Sequence, residues 1–393
     1  MSSAPVSTPT STGPMSTEYQ TVLSALIERT VGPQAAEIDR SGTFPRDSVR
    51  ALGDAGLLGL ISAPQVDGGG KSLAAAAYVV EQLAGQCGST AMVALMHYAA
   101  VAVIEAHGSA DVRRAIARGE HLATLAFSEA GSRSHFWTPT STATAGEGDS
   151  VVLDARTSWV TSAGQADSYV WSSKPLNGTA GMTLWLVPAN ADGLRVTGTF
   201  DGLGLRGNAS NPVAATGVVV PTGARLGDDG AGLDIALATA LPHFLVLNAA
   251  FSLGLMEALL AETAAHLART TLEHLGQTLA QQPLGRAAFA RLRMRTDAAR
   301  ALLQDTLTAL GIGREDATLR VLEVKAVAAE AVSEVADGVL RLCGGAAFRK
   351  ELGVERRFRD ALAARVMAPT SEALQDFLSR VCLGLSLFDE ADA

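Results

Sequence analysis

Cysteine is scarce in this chain, with three in 393 residues, Cys87, Cys343 and Cys382. The number is odd and the spacing wide, which argues against a disulfide framework and a cysteine metal site. A reducing cytoplasm is the expected compartment. Blocks of Lys and Arg are missing too. The 31 basic residues are outnumbered by 40 acidic ones, for a net charge of -9. That balance argues against nucleic acid and anionic membrane surfaces as partners. None of the 7 histidines forms an HxH or HxxxH pair, so no metal site is expected. The opening MSSAPVSTPTSTGPM is rich in Ser, Thr and Pro and lacks the basic start and apolar run of a signal peptide. Residues 1–15 are expected to be disordered. No apolar run is expected to reach the ~20 residues of a membrane span.

What is present is a globular balance, 48% hydrophobic and 18% charged, long enough for two or three domains. Three zones follow in order. Residues 16–118 carry helical spacing, as in TEYQTVLSALIERTV. TAMVALMHYAAVAVIEAHG is apolar nearly all round, the mark of a buried bundle helix. Residues 119–228 switch to short β-rich runs broken by Gly, Pro and Asn, such as SYVWSSKP and MTLWLVPAN. They predict a compact β-barrel or sandwich. Residues 229–393 return to long helices with short connections, predicting an up-and-down bundle. The fold class is therefore α+β multidomain: N-terminal helical domain, central β-barrel, C-terminal four-helix bundle. The cleft where the three meet is the natural ligand site.

Few motifs carry chemistry unaided. GGGKS at 68–72 lacks the spacing and preceding strand of a phosphate loop, and no GxGxxG follows a strand. SEAGSRSHFWTP, residues 128–139, gathers hydroxyls around Gly131 and can present donors to an anion or a heterocycle rim, or serve as a polar connection. WVTSAG, 159–164, read as a strand, puts Trp159 and Thr161 on one face. A ring and a hydroxyl there suit a planar cofactor or a barrel core equally. His97 and His243 lie on very apolar helices, as satisfied core residues or as acid–base groups facing the cleft. VERRFRDA, 355–362, reads as a structural ion-pair network, with Glu355 and Arg359 at i,i+4.

In this order, the pieces resemble the acyl-CoA dehydrogenase family from about residue 20 to the end. The match rests on IDRSGTFPRDSVRALGDAGLLGL, SEAGSRSHFWTPTSTA, WVTSAG, LGLRGNASNPV and CGGAAFR with VERRFRDA and PTSEAL. The resemblance implies FAD, held between β-domain and bundle and shared across a subunit interface, hence a homodimer or homotetramer. It implies that Phe127, Ser128, Ser134, Trp159 and Thr161 line the flavin, that Gly344 and Gly345 let a neighbouring backbone approach it, and that Thr370 and Glu372 lie beside it.

The departures matter as much. Where the family carries the glutamate that removes an α-proton from an acyl-CoA, this chain has Ala368, followed by Pro369 in place of Gly. Relatives with the base on the first bundle helix do not match either: LPHFLVLN offers His243 and no carboxylate. Arg341 stands for the usual Gln, His135 for Asp and Thr157 for Lys, and an Arg that reaches the FAD phosphates is missing from TTLEHLGQTLA. Arg341 or Arg286 is the candidate replacement.

Three functions stay open. One is a flavin-dependent oxidoreductase acting on an acyl-CoA or related small molecule, with His243 or Glu372 as base. Another is a flavin-dependent monooxygenase or N-hydroxylase, fed by a flavin reductase, with FMN possible and with His97, His135 or His243 as donors. The last is a flavin-free scaffold.

Overall fold

The computed structural model describes residues 18–132, 135–178 and 181–388. The segment 1–15 and Ser134 lie outside that range. The N-terminal part comprises α1 (Glu18–Leu26), α2 (Gly32–Ser41), α3 (Arg46–Asp54), α4 (Leu73–Gln86), α5 (Gly88–His107) and α6 (Ala110–Ala117). Pro33 opens α2 in its first turn, and Gly42 closes it in the left-handed region at φ 67.

The middle part carries β1 (Ala123–Ala126), β2 (Thr142–Ala145), β3 (Ser150–Val160), β4 (Ser168–Ser173), β5 (Thr183–Pro188), β6 (Leu194–Val196), β7 (Asn211–Pro221) and β8 (Arg225–Leu226). They form two separate four-stranded sheets, β1-β4-β5-β8 and β2-β3-β7-β6, and neither closes on itself. The expected barrel is thus corrected to two open sheets face to face. The reason lies in the edges. β8 is only two residues long, and β1 runs parallel to β4 while packing on α5, so neither edge continues into the other sheet. Between the sheets lies a core of its own, built around Tyr169, Trp171 and Trp185. Trp171 and Trp185 sit opposite each other on β4 and β5, and Trp185 Nε1 donates to Ser173 Oγ at 2.8 Å.

After α7 (Gly232–Ile235) and one wide helical turn comes α8 (Leu241–Arg269), then a small hairpin of β9 (Thr271–Leu272) and β10 (Gln277–Thr278). The bundle is completed by α9 (Pro283–Ile312) and α10 (Ala317–Cys343), with the shorter α11 (Val354–Ala361), α12 (Ala363–Val366) and α13 (Ser371–Cys382) packed on α10.

Two helical stretches, Gly88–His107 and Gly232–Arg269, are long and apolar enough to cross a membrane. This corrects the expectation that no such run exists. Scattered polar residues mask the apolar windows, but each window is 83% buried inside the fold, as core helices are.

The N-terminal helices and the bundle share one apolar core. α4 lies along α8 so closely that a Cβ on Gly254 would come 2.1 Å from the Glu81 carbonyl. Arg300 of α9 then clamps both helices, reaching Glu81 at 2.8 Å and Glu257 at 3.0 Å. The two-sheet unit is therefore set against a single helical body, and the site opens along that seam.

Candidate active site

A cavity of about 760 Å³ lies where β1, β3, α5, α8 and the α11–α13 region converge. Its β side is shaped by a break in β3. The register with β7 shifts between Thr157 and Val160, and Trp159 adopts φ 57. Such a bulge re-aims a side chain. Here it throws the indole outward, 69% exposed, against Phe200 at a ring distance of 6.3 Å. Thr161 lies past the strand end, buried, with its hydroxyl 3.1 Å from that of Ser210. Both residues line the cavity, but through the bulge and the turn after it rather than through strand alternation.

Phe127, Ser128 and Ser132 line the same wall. Their loop is pinned to β3 by Ser158 N–H donating to Ser128 O at 2.7 Å and Ala130 N–H donating to Arg156 O at 2.9 Å. Glu129 also borders the cavity, but its carboxylate is spent. It accepts from Thr140 N–H at 2.6 Å, from the Thr140 hydroxyl, and from Ser141 N–H. Arg359 is likewise engaged, by Asp39 at 2.6 Å, Glu355 at 2.7 Å and the Leu203 carbonyl. Those carboxylates hold its guanidinium firmly charged. Next to it, burial pushes the Asp360 carboxyl up to about 6, while one oxygen accepts from Leu205 N–H at 2.6 Å.

The helical side is apolar: Met92 and Met96 on α5, Phe244 on α8, and Met367, Ala368 and Pro369 between α12 and α13. Among the described lining residues, Glu129 is the one carboxylate, and its oxygens are turned to Thr140 and Ser141.

The remaining candidates lie elsewhere. His97 is fully buried. It donates from Nε2 to the Leu58 carbonyl at 3.1 Å and accepts at Nδ1 from Ala123 N–H at 3.1 Å, tying α5 to β1. Burial lowers its pKa to about 4. His243 donates from Nδ1 to the Thr239 carbonyl at 2.8 Å and borders a separate cleft of about 400 Å³ with Lys71, Glu105 and Arg113. Burial lowers its pKa as well. The α8 residues that face the main cavity are Leu241 and Phe244.

Thr370 caps α13 by accepting from Ala373 N–H at 3.3 Å. Glu372 is exposed, its pKa lowered by its own backbone N–H and the Thr370 hydroxyl. Arg341 is exposed and paired with Asp337 at 2.8 Å. Gly344, at φ 55, and Gly345 end α10 against open space. Thr370, Glu372, Arg341 and the Gly344–Gly345 pair do not line this cavity. His135 is exposed, its Nδ1 2.9 Å from the Ser132 carbonyl.

Comparison with known proteins decides the family. Three models match in series: the acyl-CoA dehydrogenase N-terminal domain over residues 16–119, the middle domain over 124–218 and the C-terminal domain over 230–383. The chain belongs to the acyl-CoA dehydrogenase family. It is a flavin-dependent oxidoreductase. It is 27% identical over 352 residues to the human mitochondrial short-chain specific acyl-CoA dehydrogenase, covering 88% of this chain and 84% of that one. Among solved structures it is similar to butyryl-CoA dehydrogenase from Megasphaera elsdenii, with a TM-score of 0.86, 21% identity, and coverage of 93% of this chain and 97% of that one. It is similar too to TdsC from Paenibacillus sp. A11-2 in complex with FMN and indole, with a TM-score of 0.83, 20% identity, and coverage of 93% and 97%.

The acyl-CoA dehydrogenase family's flavin has a fitting host in the cavity. The exposed Trp159 indole offers an uncovered aromatic face, hydroxyls of Ser128, Thr161 and Ser210 border one side, and the helical side offers apolar packing. Bound there, a flavin supplies a two-electron acceptor or, once reduced, a donor to dioxygen.

Proposed function

We propose that this flavoenzyme oxygenates a small apolar or aromatic substrate, with reduced flavin and dioxygen as co-reactants. One oxygen atom enters the substrate and the other leaves as water, with two electrons and two protons drawn from the reduced flavin. The observation that carries the reading is the cavity wall over Met367–Pro369 and Phe244, which holds no group able to accept a proton. Dehydrogenation of an acyl thioester begins with loss of an α-proton, and a base must lie within hydrogen-bond reach of it. Oxygenation needs instead a pocket that excludes water, and apolar walls of this kind supply it. In this scheme Trp159 stacks against the flavin and the hydroxyl-bearing edge orients it. Phe244, Met92 and Met96 hold the substrate. FMN or FAD serves, since Arg341 and Arg286 are engaged within the subunit by Asp337 and the Gln281 carbonyl.

The competing reading is dehydrogenation of an acyl-CoA, favoured by the human relative, which is named for that activity. Two measurements separate them. In the first, an anaerobic titration with a panel of acyl-CoAs is followed at the flavin band near about 450 nm. In the second, oxygen uptake is measured with a flavin reductase and reduced nicotinamide cofactor. Oxygenation predicts an unbleached band in the first and uptake in the second. Bleaching by any acyl-CoA overturns the proposal in favour of dehydrogenation.

A further inference from the structure

Lys325 lies mid-way along α10 and is completely buried, in the run LEVKAVAAEAV, flanked by the buried Leu322, Val324, Ala326, Ala328 and Ala329. Its ammonium donates to the Met367 carbonyl at 2.7 Å and to the Pro369 carbonyl at 2.6 Å. These two acceptors bracket Ala368. The segment belongs to neither α12 nor α13, so its carbonyls have no helical partners of their own. From the other flank, Asn248 of α8 approaches the Met367 sulfur at 3.9 Å. On the opposite side from Lys325, Met367, Ala368 and Pro369 form the cavity wall.

A buried ammonium is retained against a strong desolvation penalty, and an apolar residue of similar length would fill the same space more favourably. Burial alone draws its pKa down to about 7, with Glu372 the opposing charge on α13. A neutral amine still carries two N–H groups, enough for both carbonyls, so the contacts persist through that titration.

We propose that Lys325 is a positioning residue: through the carbonyls of Met367 and Pro369 it fixes the Ala368 wall against the ring-binding slot. It touches neither substrate nor flavin and acts only through this segment. The inference rests on the cavity being the flavin site only for its optical readout.

The test uses the full chain and the variants Lys325→Met, which keeps the length and removes the donors, and Lys325→Gln, which keeps an N–H₂ group. Lys174→Met, at an exposed lysine, is the control. Hydrogen exchange is followed in the peptide spanning 366–375 and, separately, along α10. The visible band of bound FMN or FAD is recorded at saturation. The expected result in Lys325→Met is about tenfold faster exchange confined to 366–375, with α10 still protected and the flavin band displaced. Lys325→Gln should fall between that variant and the parent. A merely structural role would loosen α10 and 366–375 together and leave the band of the remaining folded protein unmoved, which overturns the proposal. So does unchanged exchange in Lys325→Met. If Lys325→Met does not fold, parent-like exchange in folded Lys325→Gln overturns it. Failure of the parent to bind any flavin would sink the functional reading while leaving the exchange result to judge the lysine.

Discussion

At the scale of single residues, the cavity is defined by what its walls cannot do. Ala368 has no proton-accepting side chain, and α8 faces the slot with Leu241 and Phe244. Ala368→Glu should therefore introduce a new activity. Anaerobic bleaching of the flavin by an acyl-CoA is the expected outcome in this variant, with none in the parent. His97 carries a prediction of another kind. Its folded-state pKa of about 4 lies below the ordinary 6.5, so its share of stability is intact above pH 6.5 and is lost as the pH falls toward 4. By pH 5 the loss should be about 2 kcal/mol. Urea midpoints at pH 7 and pH 5 measure it. His97→Gln should lower stability at both values while shrinking the difference between them. An undiminished difference would show that another group is responsible.

At the scale of elements, α4 and α8 approach closely enough for Gly254 to be irreplaceable. A methyl group there would meet the Glu81 carbonyl, and Gly254→Ala should cost about 2–3 kcal/mol, seen as a lowered melting temperature. The elements differ in how well the sequence announced them. TAMVALMHYAAVAVIEAHG reads plainly as a buried helix, and α5 is one. That same uniformity hides which side chain faces which neighbour. No apolar stripe distinguishes His97 or His243 from Met92, Met96 and Phe244, so the sequence points to the histidines and leaves the slot-facing residues unmarked. Trp159 and Thr161 were legible as cavity residues by resemblance, but the bulge that aims them depends on a register with β7 fixed some fifty residues later in the chain. Sheet closure is non-local in the same way, and short alternating runs suit an open pair of sheets as well as a barrel. Lys325 did leave a local trace, a lone cation inside an apolar helical run. Its partners, Met367 and Pro369, are distant in sequence, and nothing in the run names them.

At the scale of the whole molecule, several large apolar side chains face outward, among them Leu284 at 87% exposure and Phe348 at 77%. Phe348 lies three residues past the Gly344–Gly345 pair. We expect the protein to be a homodimer or homotetramer, with these residues in contact surfaces. Light scattering should return a multiple of 40.5 kDa. Phe348→Glu should shift the mass downward, and flavin affinity should fall with it if a neighbouring subunit completes the cofactor's binding. A parent protein that scatters as a monomer would contradict this.

The apolar interior common to α4, α5 and α8 has a consequence for biosynthesis. Helices made early on the ribosome must wait for a partner that emerges only after both sheets have been synthesised. Until then their greasy faces have nothing to lean on, and the nascent chain is exposed to chaperones and proteases. A stalled chain ending near residue 230 should be digested through its first hundred residues, whereas one extended past Arg269 should begin to resist.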